Sequence, residues 1–69
     1  MFTISVVTYA GASREISIFA EDLAEFYFAQ ILRCIDVQSV TMIDGFTGEV
    51  VEQVVDGKIL VFAREVVVD

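Results

Sequence analysis

Glu49-Val50-Val51-Glu52-Gln53-Val54-Val55-Asp56-Gly57-Lys58-Ile59-Leu60-Val61-Phe62-Ala63-Arg64-Glu65 is the stretch on which the fold depends. Asp-Gly between two apolar runs of near-equal length predicts a β-hairpin with a two-residue turn. Such a turn sets Val55 opposite Lys58 and Val54 opposite Ile59, and the pairing then runs outward. One face collects Val50, Val54, Ile59, Val61 and Ala63, broken only by Glu52. The other collects Val51, Leu60 and Phe62 among Gln53, Lys58, Glu49 and Arg64. Glu49 and Arg64 meet across the strands in this register, a pair worth a few tenths of a kcal/mol. The first face is the better core. The second carries more apolar surface than a solvated face needs, and exposed patches of that kind mark interaction surfaces.

Working upstream, Phe2 to Tyr9 alternates Phe2, Ile4 and Val6 with Thr3, Ser5 and Val7, the period of a half-buried strand. Arg14 to Phe19 does the same with Ile16 and Ile18, after a loop of small residues at Ala10-Gly11-Ala12-Ser13. A helix is expected over Leu23 to Ile35, with Asp22 as N-cap and Glu25 completing a capping box. At about 100° per residue, Leu23, Ala24, Tyr27, Phe28, Ile31, Cys34 and Ile35 share an arc centred on Ile31. Phe26 falls among the polar residues Asp22, Glu25, Gln30 and Arg33, where a solvated helix gains nothing from it. Val37 to Ile43 reads as a third strand, followed by the turn Asp44-Gly45-Phe46-Thr47-Gly48. The order is β-β-α-β-β-β over a single domain, residues 1–69. The fold class is α+β, a mainly antiparallel sheet of four or five strands with one helix on one face. The expected core is Phe2, Ile4, Val6, Ile16, Ile18, Leu23, Tyr27, Ile31, Cys34, Val40, Met42, Val54, Ile59 and Val61.

A chain of 69 residues buries only about 60% of the surface its unfolded form exposes. Small domains compensate with disulfides, metals or oligomerisation. Cys34 is the one cysteine and histidine is absent, which excludes an internal disulfide and disfavours zinc. Self-association is left. With 57% apolar residues and a mean hydropathy of +0.73, the chain has the material for it. Disorder is excluded on the same ground. No transmembrane helix is expected, because the longest apolar run, Ile59 to Ala63, is far short of roughly 20 residues. A strand pattern from Met1 without a basic n-region predicts no signal peptide, and with one unpaired cysteine the expected location is cytoplasmic.

The net charge is −7, from eleven acidic and four basic residues. Arg14, Arg33, Lys58 and Arg64 are scattered, so neither direct nucleic-acid binding nor docking to an anionic membrane is expected. Catalytic candidates are few. Without histidine the commonest neutral-pH general base is missing, and Cys34 is expected as a buried small hydrophobe. Asp44, Thr47 and Glu49 are only three oxygen-bearing side chains where calcium takes about six to eight oxygens, and turn chemistry accounts for the string. Glu21, Asp22 and Glu25 suit the positive end of a helix. No catalytic, metal or cofactor-binding residue and no cofactor is assigned, and no small-molecule substrate is expected.

A strand from Met1, a hairpin, a helix opening Glu21-Asp22-Leu23-Ala24-Glu25 and a strand into Asp44…Thr47-Gly48-Glu49-Val50 together resemble the small acidic open reading frames of bacteriophages and mobile elements. The resemblance spans the chain, apart from the extra C-terminal strand. It carries no assigned activity and implies that binding and inhibiting a host enzyme is among the roles to weigh.

The leading expectation is therefore a non-enzymatic protein-interaction module, a homodimer or a binder of another protein. Its interface is expected at Phe26 on the helix, Val51, Leu60 and Phe62 on the open sheet face, and the tail Val66, Val67 and Val68, which could pair as an edge strand. The alternative is an acidic inhibitor or nucleic-acid mimic that occupies a basic site on a host enzyme.

Overall fold

A computed structural model describes residues 1–62, with only the backbone of Phe62 included. The elements are β1 (Phe2–Thr8), β2 (Ser13–Ile18), α1 (Glu21–Leu32), β3 (Val37–Asp44), β4 (Val50–Val55) and β5 (Lys58–Phe62). The strands form one five-stranded sheet, ordered β2-β1-β3-β4-β5, and every neighbouring pair is antiparallel. One helix packs on one face, so the chain has the α+β architecture expected. No helix among the described residues is long and apolar enough to cross a membrane.

The Asp56-Gly57 turn forms as anticipated. Asp56 has φ 52° and Gly57 φ 79°; two successive positive φ values define the type I′ turn, whose twist matches the flanking strands. Val55 pairs with Lys58 and Val54 with Ile59. Beyond that the predicted register fails. Gln53 pairs with Val61 and Glu52 with Phe62, leaving Leu60 as an extra, bulged residue. Val51 is bulged on the other edge of β4, since Met42 pairs with Glu52 and Ile43 with Val50. A third bulge at Gln38 separates the Val7–Ser39 and Thr8–Val37 pairs. Its carbonyl accepts a 2.8 Å hydrogen bond from Asp56 N–H, so this irregularity is tied to the hairpin turn. Bulges of this kind raise the local twist of a sheet.

The core consists of Ile4, Val6, Ile18, Ala24, Phe28, Val40 and Met42, with Phe2, Ile16, Ile31, Val37, Val51 and Val54 packed around it. Ile4, Val40 and Met42 are the largest fully buried side chains, each worth about 1.5–3 kcal/mol of burial. Ile4 and Val6 project to the helix side, which leaves Thr3, Ser5 and Val7 on the other. Pairing puts Ser17 beside Thr3, Glu15 beside Ser5, Ser39 beside Val7, and Gln53 beside Thr41. The open face of the central strands thus mixes hydroxyls with Val7, with Ile43 beside Thr3 and with Val55 beside Ser39, and Gln53 Nε2 donates to Thr41 Oγ1 at 3.1 Å.

Several core expectations are corrected. Leu23, Tyr27, Cys34 and Ile59 are exposed. The helix begins earlier and ends earlier than its pattern suggested, with Ala20 at the N-cap position and Arg33 at the C-cap. Asp22 lies inside the first turn, and no side chain caps the helix. With Ala24 and Phe28 as the buried pair, the helix is rotated about 40° from an arc centred on Ile31. Cys34 lies past the end of the helix and Ile35 beyond it, both exposed. Ile59 is exposed because α1 lies against β1, β2 and β3. A helix is only about 10–12 Å across; five strands at about 4.8 Å spacing are wider than that.

The β3–β4 loop is held by its own polar groups. Asp44 accepts from Phe46 N–H at 2.8 Å, an Asx turn, and Thr47 Oγ1 accepts from Glu49 N–H at 3.2 Å. Gly48 has φ 78°. Gly45 is needed for a different reason: its N–H donates to Met1 O at 2.7 Å, and a Cβ there would stand 2.7 Å from the same oxygen.

Candidate functional site

The unusual surface of this domain is the outside of α1. Residues Glu21–Leu32 include Leu23, Ala24, Phe26, Tyr27, Phe28, Ala29, Ile31 and Leu32, so the helix is apolar around its whole circumference. A helix of that kind normally has cover on more than one side. Here the sheet covers one side only: Ala24 and Phe28 are 0% and 4% exposed, while Leu23, Phe26 and Tyr27 keep 48%, 57% and 44% of their surface. The Phe26 and Tyr27 rings meet edge to face, 5.9 Å between centroids and 79° between planes. Phe19, just before the helix, is also exposed.

On one flank of the helix runs a groove. Phe28, Ala29 and Leu32 form one wall and Val54, Ile59 and Val61 the other, enclosing about 280 Å³ with Glu25 and Glu52 among its lining residues. The groove exists because the β4–β5 hairpin reaches past the part of the sheet that α1 covers.

The predicted contact residues are distributed unevenly. Phe26 is on the outer helix face. Leu60 is exposed at its bulge on β5, an edge strand. Val51 is not on the open face with Leu60; it packs against the core, because the bulge at its own position shifts β4 out of simple alternation. The Phe62 side chain, Ala63, Arg64, and the tail Val66, Val67 and Val68 lie outside the described residues, and so does the expected Glu49–Arg64 pair. The open sheet face, expected to carry more apolar surface than a solvated face needs, mixes hydroxyls with Val7, Ile43 and Val55 in its centre. Leu23 and Tyr27 are surface residues that sequence reasoning placed in the core. The signal was present in the apolar residues on all sides of the helix, which periodicity alone could not sort into inner and outer.

Across the sheet, the Tyr9 hydroxyl donates to Asp56 Oδ1 at 2.8 Å, joining the β1–β2 loop to the β4–β5 turn. The Tyr9 pKa is pushed above its ordinary 10.0, chiefly by that hydrogen bond and then by slight desolvation and the Asp56 charge. Among the described residues no three His, Cys, Asp or Glu side chains converge as a metal-ligand set. Cys34 is exposed, its Sγ 3.9 Å from the Gln30 carbonyl oxygen. What the surface offers is apolar contact area, with aromatic anchors on α1 and, among the described residues, a sheet edge at β5. No family model, curated protein or solved structure matches the chain.

Proposed function

We propose that this protein is a non-enzymatic protein-interaction module that associates with itself through the outer face of α1. One observation carries the reading: Leu23, Phe26 and Tyr27 form a contiguous exposed apolar ridge on a helix whose opposite side is already buried. Aromatic side chains held rigidly on a helix are the usual energetic anchors of an interface. The hydroxyls interspersed among Val7, Ile43 and Val55 give the open sheet face less claim to the role. Exposed Ile59 and Leu60 on the β5 edge are a secondary contact region. The acidic-mimic alternative needs carboxylates gathered on one surface. Of the candidates for that role, Glu52 lines the groove with Glu25, Asp56 is at the hairpin turn and Glu49 precedes β4, while Glu65 and Asp69 lie outside the described residues, so it has less support.

Light scattering across a concentration series tests the reading. Wild type should rise from monomer to dimer mass, and Phe26→Asp, folded by circular dichroism, should remain monomeric. A folded Phe26→Asp protein that dimerises like wild type would remove the helix from the interface.

A further inference from the structure

We infer that two copies pack α1 against α1 in antiparallel orientation about a two-fold axis, with Phe26 of each helix seated over Ala29 of the other and Asp22 of each paired with Arg33 of the other. This rests on the reading of the outer helix face as a docking surface and specifies its occupant.

Ala24 and Phe28 point to the sheet, so the direction straight away from it falls about 180° round the helix. At about 100° per residue, Asp22, Phe26, Ala29 and Arg33 fall within about 60° of arc, and that arc includes this outward direction. All four are exposed. They are spaced i, i+4, i+7 and i+11, which makes a single line along the helix. Arg33 extends the line as the C-cap residue, with φ −83° and ψ −8°, close enough to helical to keep the phase.

The order along that line is acid, aromatic, small, base. Turned end for end about a point midway between Phe26 and Ala29, it reads as its own complement. Asp22 meets Arg33, and Phe26 meets Ala29, each twice. A closed two-fold interface requires this self-complementarity. The small Ala29 leaves a hole for a phenyl ring, so the axes can approach to the roughly 8–10 Å of packed helices. A parallel arrangement would instead set Asp22 against Asp22 and Arg33 against Arg33, with like charges opposed at both ends. Charge therefore selects the antiparallel form. Two helices of this length bury less than a standard interface, and association is expected at the weak end of the range. Measurements should extend to several hundred micromolar.

The decisive experiment swaps the charges. Asp22→Arg and Arg33→Asp are made singly, each checked for fold by circular dichroism, and the mass of each is followed with concentration. Each single variant faces like charges at both ends of its own dimer, and its self-association should weaken about tenfold. An equimolar mixture should regain wild-type affinity as a heterodimer, because Arg at position 22 then meets Asp at position 33 and the native Arg33 meets the native Asp22. Should one variant fold poorly, the double variant Asp22→Arg/Arg33→Asp carries the test: it should dimerise with itself and, mixed with wild type, form no heterodimer, since Arg then meets Arg and Asp meets Asp at both ends; free exchange with wild type would overturn the pairing. If Phe26→Asp abolishes the dimer while the charge variants associate as wild type, or their mixture fails to recover, the antiparallel pairing is overturned and the docking surface survives. A wild-type protein that is monomeric at every concentration overturns both.

Discussion

Two phenylalanines two positions apart on α1 should differ sharply in what their removal costs the folded monomer. Phe28 is 4% exposed and, among the described residues, is the one large buried aromatic that joins the helix to the sheet core. An aromatic side chain buries about 150–250 Å², and truncation to alanine returns about 150 Å² of that to water or to a cavity. At about 25 cal/mol per Å² this is ~4 kcal/mol, within the about 3–5 kcal/mol found for buried Phe→Ala changes. A core of this size rarely supplies more than about 3–5 kcal/mol in total. Phe28→Ala should therefore be largely unfolded in plain buffer at 25 °C. Phe26→Ala loses an exposed ring and its edge contact with Tyr27, and should change monomer stability by no more than about 1 kcal/mol. Urea unfolding at low micromolar protein, where association contributes little, reads both. Phe26→Ala should keep the wild-type slope and move the midpoint by no more than about 1 M urea. If Phe26→Ala costs as much as Phe28→Ala, the rotation of the helix on the sheet is wrong, and the proposed interface goes with it.

Three further outcomes follow from the loops. Gly45→Ala should destabilise by about 1–3 kcal/mol, since its Cβ would stand 2.7 Å from Met1 O, a backbone atom, as overpacking of a tight site does; a thermal melt unchanged from wild type would refute the close approach. Gly57→Ala should cost about 1–2 kcal/mol, because an alanine would have to adopt φ 79°, whereas Asp56→Asn should preserve the turn, asparagine tolerating positive φ. Tyr9 should titrate above 10.0 because its neutral hydroxyl donates to Asp56. A folded pKa raised above the unfolded one gives stability that is fully present below pH 10 and is lost as pH climbs through the raised value. Absorbance at 295 nm in a Tyr27→Phe background should show the Tyr9 transition moving down in Asp56→Asn, and a transition that stays in place would exclude the hydrogen bond as its cause.

Much of this fold is legible in single residues and their neighbours. Asp56-Gly57 specifies its turn because the requirement, two consecutive positive φ values, is satisfied locally. The alternation of Phe2, Ile4 and Val6, and of Ile16 and Ile18, names strands and their inward sides for the same reason: a pleat imposes a period of two on the chain itself. The Asp44 Asx turn is likewise closed within three residues. The strand segments and the α+β class follow from these signals together, with the sheet left at four or five strands.

The β4–β5 register and the orientation of the helix do not follow from local signals. Bulges at Gln38, Val51 and Leu60 depend on how a five-stranded sheet must twist, which no pair of neighbouring residues encodes; one extra residue then turned Val51 from the open face to the core. On α1, apolar residues on all sides gave periodicity nothing to select between. The sheet made the choice, by taking Ala24 and Phe28 into the space above Ile4, Val40 and Met42 and leaving Leu23, Phe26 and Tyr27 outside. Sequence alone determined which segments are strands, which is a helix and where the chain turns, because those are set by local backbone preference and side-chain period. Which apolar residues became surface was decided by tertiary packing, because one helix is too narrow to cover five strands and a sheet can bury only one side of it.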